Sequence, residues 1–270
     1  MSEADQVLSG GWQTDVSRRG HAVLRSQRAH SETVVALLGH LEDRGFEWSP
    51  RPIEGGFSSD GREQLTYIEG ASIHPNAWTD EGAWQIGRVL RQLHMATASF
   101  VPPSPAVWRP WFARSLPGTR PVIGHGDLGP WNIIARQGLP VGLIDWDYAG
   151  PVDALWELAE VGWLNAHLYD EDVNDTNASG SVTARANQLR LILDGYELDR
   201  ADRDGFVNRM IEFAIRAARD EAVTYRVDPG STSPAPDGFP ILWAVTWRAR
   251  SAAWMLDNRT QLQAAVTRTN

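Results

Sequence analysis

His125-Gly126-Asp127-Leu128-Gly129-Pro130-Trp131-Asn132, followed by Leu143-Ile144-Asp145-Trp146-Asp147, is the stretch on which the reading of this chain turns. Asp127 and Asn132 are five positions apart, and Asp145 lies eighteen beyond Asp127. Two short apolar runs, 133–135 and 141–144, stand between them and predict a β-hairpin with Asn132 at its entry and Asp145 at its exit. Such a hairpin brings an amide oxygen next to a carboxylate. Mg²⁺ takes hard oxygen ligands and few of them from protein, because water and phosphates fill the rest of its shell. Asp127 then faces an acceptor hydroxyl, orients it and takes its proton. The set suits phosphoryl transfer, whose transition state spreads charge over phosphoryl oxygens and is stabilised by positioning and electrostatics. Gly126 and Gly129 permit tight turns in the loop. Taken singly, Asp127 reads as a turn residue, Asn132 as a strand-end cap and Asp145 as a surface carboxylate. Taken together, and with Asp145 at the end of an apolar run where an unpaired carboxylate is costly, they read as a site.

Outward from this segment the two halves of the chain differ. Residues 1–70 look strand-rich, with a hairpin around Arg19-Gly20 and a strand over 62–68. Val34, Val35, Leu37, Leu38 and Leu41 lie at helical spacing, with Ser31 as the N-cap and Gly45 just past the end. From Thr79 the pattern turns helical, and Trp84, Ile86, Val89, Leu90 and Leu93 form one apolar stripe. Pro102-Pro103 and Pro105 break it. Helices are expected over about 152–169, 183–197, 203–226 and 240–265, with exposed loops at 170–182 and 228–239. A strand-rich front and a helical back, without a β-α rhythm, give an α+β class rather than a doubly wound sheet.

The chain contains no cysteine and no lysine; all 25 basic residues are arginine. A Walker A loop, Schiff-base chemistry, a disulfide scaffold and a thiol nucleophile are therefore excluded. No apolar run approaches the roughly 20 residues of a membrane span, and the acidic N-terminus MSEADQVLSGG lacks the basic flank of a signal peptide, so a cytoplasmic protein is expected. The net charge of −9 argues against nucleic acid and anionic membranes as partners and is compatible with a cationic small molecule. Either a monomer or a homodimer is expected.

His125-Gly126-Asp127 with Asn132, and Ile144-Asp145-Trp146-Asp147 downstream, resemble the aminoglycoside phosphotransferase and choline-kinase-like family, relatives of protein kinases. Gly150-Pro151-Val152-Asp153 through Trp156-Glu157-Leu158-Ala159 is similar to that family's continuation into a helix, Arg91-Gln92-Leu93-His94 to its helix ahead of the catalytic loop, and Leu65-Thr66-Tyr67-Ile68-Glu69-Gly70 to its hinge. The resemblance covers roughly residues 10–160. It implies a two-lobed protein-kinase-like fold, with a nucleotide-binding lobe over 1–69 and a catalytic and substrate-binding lobe over 70–270. It implies Asp127 as catalytic carboxylate, Asn132 and Asp145 as Mg²⁺ ligands, His125 as a brace for the loop, and backbone groups of Tyr67, Ile68 and Glu69 against the base of ATP or GTP. The family's strand lysine is missing, so Arg25 is expected on the phosphates with Glu32 as its partner; arginine presents a planar fork there rather than a point charge. Gly10-Gly11 and Gly20 do not form a recognisable glycine-rich phosphate loop.

On the acceptor side, residues 151–180 carry seven Asp or Glu and no Lys or Arg, which reads as a solvated acidic face or as a patch for a polycation. Trp243, Trp247 and Trp254 share a helical face, as core or as a stacking wall. Two functions follow. One is a nucleotide-dependent kinase of a small hydroxylated molecule, either an aminoglycoside-like antibiotic or a metabolite alcohol. The other is a binding or immunity protein on a kinase-like scaffold with little or no transfer activity. A protein kinase is disfavoured, since Gly126 sits where those enzymes carry arginine.

Overall fold

In the computed structural model, described for residues 5–8, 16–170, 180–235 and 238–268, the strands gather at the front. Strands β1 (Gln6–Val7), β2 (Val16–Arg19), β3 (Ala22–Arg25), β4 (Pro52–Phe57) and β5 (Glu63–Thr66) form an antiparallel sheet in the order β1-β2-β3-β5-β4. The expected hairpin at Arg19-Gly20 is the β2–β3 turn, where Gly20 takes the left-handed conformation at φ 59° that favours glycine. Helix α1 (Ser31–Asp43) buries Val34, Val35, Leu37, Leu38 and Leu41 as its spacing predicts. Its N-cap is His30, not Ser31. The Ser31 hydroxyl instead accepts from the Arg28 amide (2.8 Å) and donates to Glu63. The Gly10-Gly11 segment lies outside the described residues.

After residue 70 come two small sheets and the other helices. Strands β6 (Ala71–Ser72), β8 (Ile133–Arg136) and β9 (Leu139–Leu143) form one small sheet, and β7 (Pro121–Gly124) pairs with β10 (Gly150–Asp153) in another. β10 corrects the expectation of helix from about residue 152: 150–153 pair along β7, and α3 (Ala154–Asn165) starts after Asp153, whose carboxylate caps it by accepting from Leu155 N (3.0 Å). Helix α2 (Asp80–Thr97) is capped by Thr79 and buries Ile86, Val89, Leu90 and Leu93, whereas Trp84 falls off the stripe and is 39 % exposed. Beyond α3 come α4 (Val182–Gly195), α5 (Arg200–Arg203), α6 (Phe206–Thr224), α7 (Ile241–Asp257) and α8 (Arg259–Val266). The helix expected over 203–226 is α6, which starts after Gly205 at φ 72°, with the short α5 before it; the helix expected over 240–265 is divided at Asn258 into α7 and α8. Of the expected loop at 170–182, residues 171–179 lie outside the described set, as do 236–237 of the loop at 228–239.

α2 and α4 cross with their backbones in contact. A Cβ on Gly87 would sit 1.9 Å from Ile192 O, and one on Gly195 would sit 1.8 Å from Trp84 O. Backbone cannot rotate away as a side chain can. Gly87→Ala or Gly195→Ala therefore meets overpacking near the top of its usual range, about 3 kcal/mol. The helix-propensity gain of about 1 kcal/mol offsets only part of it. A net loss of about 2 kcal/mol lowers Tm by roughly 4–8 °C in a chain this long. Thermal denaturation of either variant checks this; an unchanged Tm contradicts the close crossing.

Candidate active site

The β8–β9 hairpin does what its sequence predicts. Ile133 pairs with Leu143, and Ile144 N donates to Asn132 O (2.9 Å), so the residues before the first strand and after the second are neighbours. The loop before β8 holds Asp127. Asn132 Nδ2 donates to Asp127 O (2.8 Å) and to Asp127 Oδ2 (2.9 Å). With its nitrogen fixed this way, the Asn132 carbonyl oxygen turns away from Asp127, and no donor among the described residues meets it. Asp145 sits in the left-handed region at φ 60°, ψ 68°, a conformation uncommon outside glycine but tolerated by Asp. Solvent reaches its side chain, which is 52 % exposed, although protein atoms crowd around it. That crowding, then the charge of Asp147, pushes its carboxyl above the usual range against the pull of Arg25. An open carboxylate beside an unclaimed amide oxygen fits a hard divalent cation that completes its shell with phosphates and water. Among the described residues, no cluster of three His, Cys, Asp or Glu offers an alternative metal site.

Asp127 is half-buried. Burial, then the Asp145 charge, pushes its carboxyl up to about 7, while hydrogen bonds from Asn132 and Trp131 act against the shift. Gly126 is forced by geometry: φ is 81°, and a Cβ there would lie 2.3 Å from Tyr148 O. His125 braces the loop. Its Nε2 donates to Ile144 O (3.0 Å), its Nδ1 accepts from Asp127 N (3.3 Å), and its ring lies 4.5 Å from that of Trp146. Both bonds suit the neutral Nε2–H tautomer, in keeping with burial, which pulls the imidazole down to about 4.

The main brace came from a residue given no role in the sequence reading. Glu157 is fully buried on α3 and accepts from His125 N (2.6 Å), Gly126 N (2.8 Å) and His94 Nε2 (2.6 Å). His94 in turn meets the Tyr196 hydroxyl (2.8 Å). Burial pushes the Glu157 carboxyl up, but His94 and the loop amides outweigh it and hold it below the usual range. The sequence did carry a signal: glutamates 157 and 160 stand in a helix otherwise without charge, and charges in apolar helices need partners.

Arg25 is 9 % exposed and lies where β3 meets the cleft. Its Nε pairs with Glu63, and its Nη1 lies 2.8 Å from Asp147 Oδ1 and 3.6 Å from Asp145 Oδ1. Its Nη2 is buried without a hydrogen-bond partner. Glu63 therefore stands where Glu32 was expected. The register pairs Arg25 with Glu63 across β3 and β5, whereas Glu32 is exposed on the first turn of α1. Asp147 gathers Arg25, Arg28, His30 and Arg109 within 4 Å; burial raises its carboxyl, but Arg25 first, then His30 and Arg28, hold it below the usual range.

At the hinge, Tyr67 N donates to His21 O (2.7 Å), so that amide belongs to the fold and not to a ligand. Arg18 lies 3.8 Å over the Tyr67 ring and pairs with Glu69 (2.8 Å). The Ile68 and Glu69 backbone groups have no partner among the described residues.

The acidic stretch is not a solvated face where it is described. Asp153, Glu157 and Glu160 are all buried, and Asp170 pairs with Arg250 (2.7 Å). Of the three tryptophans on α7, Trp247 stacks between Trp163 (5.1 Å) and Trp243 (6.1 Å), and Trp254 lies apart under Arg185. A surface depression of about 600 Å³, lined by Gln85, Arg136, Gln137, Leu139, Pro140 and Val141, contains no carboxylate and none of this chemistry.

The profile of the phosphotransferase enzyme family matches residues 101–206. A trifolitoxin immunity protein of Rhizobium leguminosarum bv. trifolii is 51 % identical over 259 residues, covering 96 % of this chain and 97 % of that protein. Among solved structures, a choline/ethanolamine kinase family protein from Mesorhizobium loti superposes with a TM-score of 0.61 at 17 % identity, over 98 % of this chain and 92 % of that one. An amicoumacin kinase in complex with AMP-PNP, Ca²⁺ and Ami gives 0.65 at 12 % identity, over 96 % and 88 %. At these identities the superpositions speak for the fold alone. With the family profile and the 51 % relative beside them, they place the chain in the phosphotransferase family of aminoglycoside phosphotransferases and choline-kinase-like enzymes, with a protein-kinase-like fold.

Proposed function

We propose that this chain transfers the terminal phosphoryl group of ATP or GTP to a hydroxyl of a small molecule, an aminoglycoside-like antibiotic or a metabolite alcohol. The observation that carries the reading is the Asp127–Asn132 pair, joined by hydrogen bonds of 2.8 and 2.9 Å and set beside Asp145 by one hairpin. Residues 1–69 form the nucleotide lobe and 70–270 the catalytic and acceptor lobe. Ile68 and Glu69 offer backbone groups to the base, and Arg25 Nη2 offers a donor to the phosphates. Asn132 Oδ1 and Asp145 hold Mg²⁺, which when bound supplies positive charge to the phosphate oxygens. Asp127 orients the acceptor hydroxyl. The hydroxyl oxygen bonds to the γ-phosphorus as the bond from phosphorus to the β–γ bridging oxygen breaks. The nucleoside diphosphate leaves with that electron pair, and the hydroxyl proton passes to the Asp127 carboxylate. The donor nucleotide places the reaction in the cytoplasm.

A cationic group on the acceptor fits the helical side. Glu160 Oε2 and Glu221 Oε2 are buried without hydrogen-bond partners. Burial first, then neighbouring carboxylates, raises both carboxyls, although Arg248 lies 2.9 Å from Glu221 Oε1 and acts against the shift. Each unpaired oxygen is an acceptor of the kind that suits an ammonium group.

A second reading, a binding or immunity protein with little or no transfer, is favoured by the immunity protein at 51 % identity and by the carboxylates that already hold Arg25. Thermal shift with millimolar Mg²⁺-ATP and Mg²⁺-GTP separates the two. Saturation at 100 times Kd stabilises a native-state binder by about 2.7 kcal/mol. A stabilised protein then enters a phosphorylation screen over aminoglycosides and metabolite alcohols. No shift with either nucleotide favours the binding reading.

A further inference from the structure

We infer that Glu160, Trp163 and His167, on α3 and the turn that ends it, form the face that recognises the acceptor, and that the acceptor is an amino alcohol carrying a carbonyl oxygen. The inference rests on the kinase reading, which puts the acceptor hydroxyl at Asp127, and it names what the rest of that molecule meets. The three side chains belong to residues that are 8, 2 and 1 % exposed. Among the described residues, Glu160 Oε2, Trp163 Nε1 and both ring nitrogens of His167 have no hydrogen-bond partner. A buried polar atom left alone is costly, and folded interiors hold few of them. Four such atoms within eight residues mark a place completed by something other than the chain.

The fold sets this face beside the catalytic loop. Glu160 and Trp163 lie three residues apart on α3 and so neighbour each other on its surface. His167 follows the helix end in the left-handed conformation at φ 53°, which is uncommon for a residue other than glycine. Asn165 Nδ2 donates to Leu128 O (2.8 Å), tying α3 to the loop that carries Asp127. The Asp127 charge is felt at Glu160. On the other side, Trp131 bonds the Asp127 carboxylate, and its ring meets that of His74 edge-on at 5.8 Å. The His74 charge is felt in turn at His167. Trp247 stacks on Trp163 at 5.1 Å and lies 5.4 Å from Tyr169, whose ring is 5.4 Å from that of His167. Two rings of this neighbourhood reach solvent: Trp131, and Trp243 stacked on Trp247.

The polarity of the unpaired atoms decides the ligand. Glu160 Oε2 accepts, which suits an ammonium group. Trp163 Nε1 only donates, so it needs a lone pair, and an ammonium group has none. Burial, then the His74 and Arg185 charges, pull the His167 imidazole down to about 4, so it is neutral, and Arg185 disfavours a further positive charge beside it. A neutral imidazole offers one N–H and one lone pair. An amide answers both ends of this pattern: its carbonyl oxygen accepts from Trp163, and its N–H meets the lone pair of His167. A molecule with a hydroxyl, one ammonium group and an amide therefore matches the whole face. A diamine matches Glu160 and leaves the Trp163 N–H unpaired.

Serinamide, serinol and 1,3-diamino-2-propanol test this as probes, since all three carry a hydroxyl and an ammonium group and serinamide alone carries a carbonyl. Each is titrated into the wild-type protein, with and without Mg²⁺-AMP-PNP, while the Trp163 indole N–H resonance is followed. Serinamide is expected to move that resonance downfield, as a gained hydrogen bond does, and to bind about 3- to 10-fold more tightly than serinol, the worth of one neutral hydrogen bond. The diamine leaves the resonance in place. Trp163→Phe keeps a ring against Trp247 but removes the N–H, and it brings the serinamide affinity down to that of serinol. Glu160→Gln weakens all three probes by about 10- to 100-fold, the worth of a charge-assisted hydrogen bond. Should either variant fail to fold, the wild-type resonance decides. A resonance that no probe moves, a Trp163→Phe protein that still prefers serinamide, or wild-type affinities in Glu160→Gln overturns the inference; internal water then completes these atoms. Nucleotide binding that persists in that case leaves the kinase reading standing. A protein that binds no nucleotide overturns the kinase reading, and the titration without nucleotide still reports on the face.

Discussion

Asp127→Asn is expected to lower phosphoryl transfer by about 10²–10⁴-fold, the usual worth of a positioned general base, while nucleotide binding stays close to wild type. The substitution keeps the shape of the side chain and an oxygen for Asn132 Nδ2, which now bonds the Asp127 carboxylate at 2.9 Å. It removes only the capacity to take a proton. Asn132 and Asp145 keep their places, since the β8–β9 hairpin and not Asp127 sets them. Folding should not suffer. Burial and the Asp145 charge both oppose ionisation of Asp127, so removing one of two neighbouring negative charges holds Tm or raises it. Steady-state transfer to the acceptor identified by the screen, beside titration with Mg²⁺-ATP, measures both halves. A wild-type rate in Asp127→Asn removes Asp127 from the mechanism. A loss of nucleotide binding equal to the loss of rate makes it a binding residue instead.

The parts of this site legible in the sequence are those fixed by short-range geometry. Asp127, Asn132 and Asp145 are joined by one loop and one hairpin, so spacing and apolar runs were enough to bring them together. The parts that were not legible depend on contacts between distant elements. Glu63 meets Arg25 through the register of β3 against β5, 38 residues apart, while sequence order favoured Glu32 on the next helix. The strand over 150–153 exists because β7 offers it an edge; its last two residues read as the start of a helix. Counting charges over 151–180 suggested a surface, yet Asp153, Glu157 and Glu160 point inward to backbone amides and to the cleft. Arg109 sits beyond a proline cluster that reads only as a helix breaker, and nothing local shows that Val107 will bond to α1.

Glu157→Ala is expected to lose about 3–5 kcal/mol of stability, because it strands His94 and two buried amides without their acceptor. For a chain this size that amounts to a fall in Tm of roughly 6–20 °C. Glu157→Gln separates packing from charge. It fills the space and keeps one acceptor oxygen, but it turns an NH₂ group toward donors, so it recovers only part of the loss. Transfer should fall in the folded fraction of both variants, since the His125 and Gly126 amides that aim Asp127 lose their anchor. Acid gives an independent readout. The Glu157 carboxyl is held below its usual range in the folded chain, so its contribution is complete above the unfolded value of about 4.3 and fades as pH falls below it toward the depressed folded value. Wild type therefore loses stability across that window, and Glu157→Gln, with nothing to protonate there, shows a shallower fall. Urea denaturation of both proteins from pH 7 down to about pH 3 measures the difference. Parallel pH profiles, or a Glu157→Ala protein as stable as wild type, would mean that the catalytic loop is held by something other than this buried carboxylate.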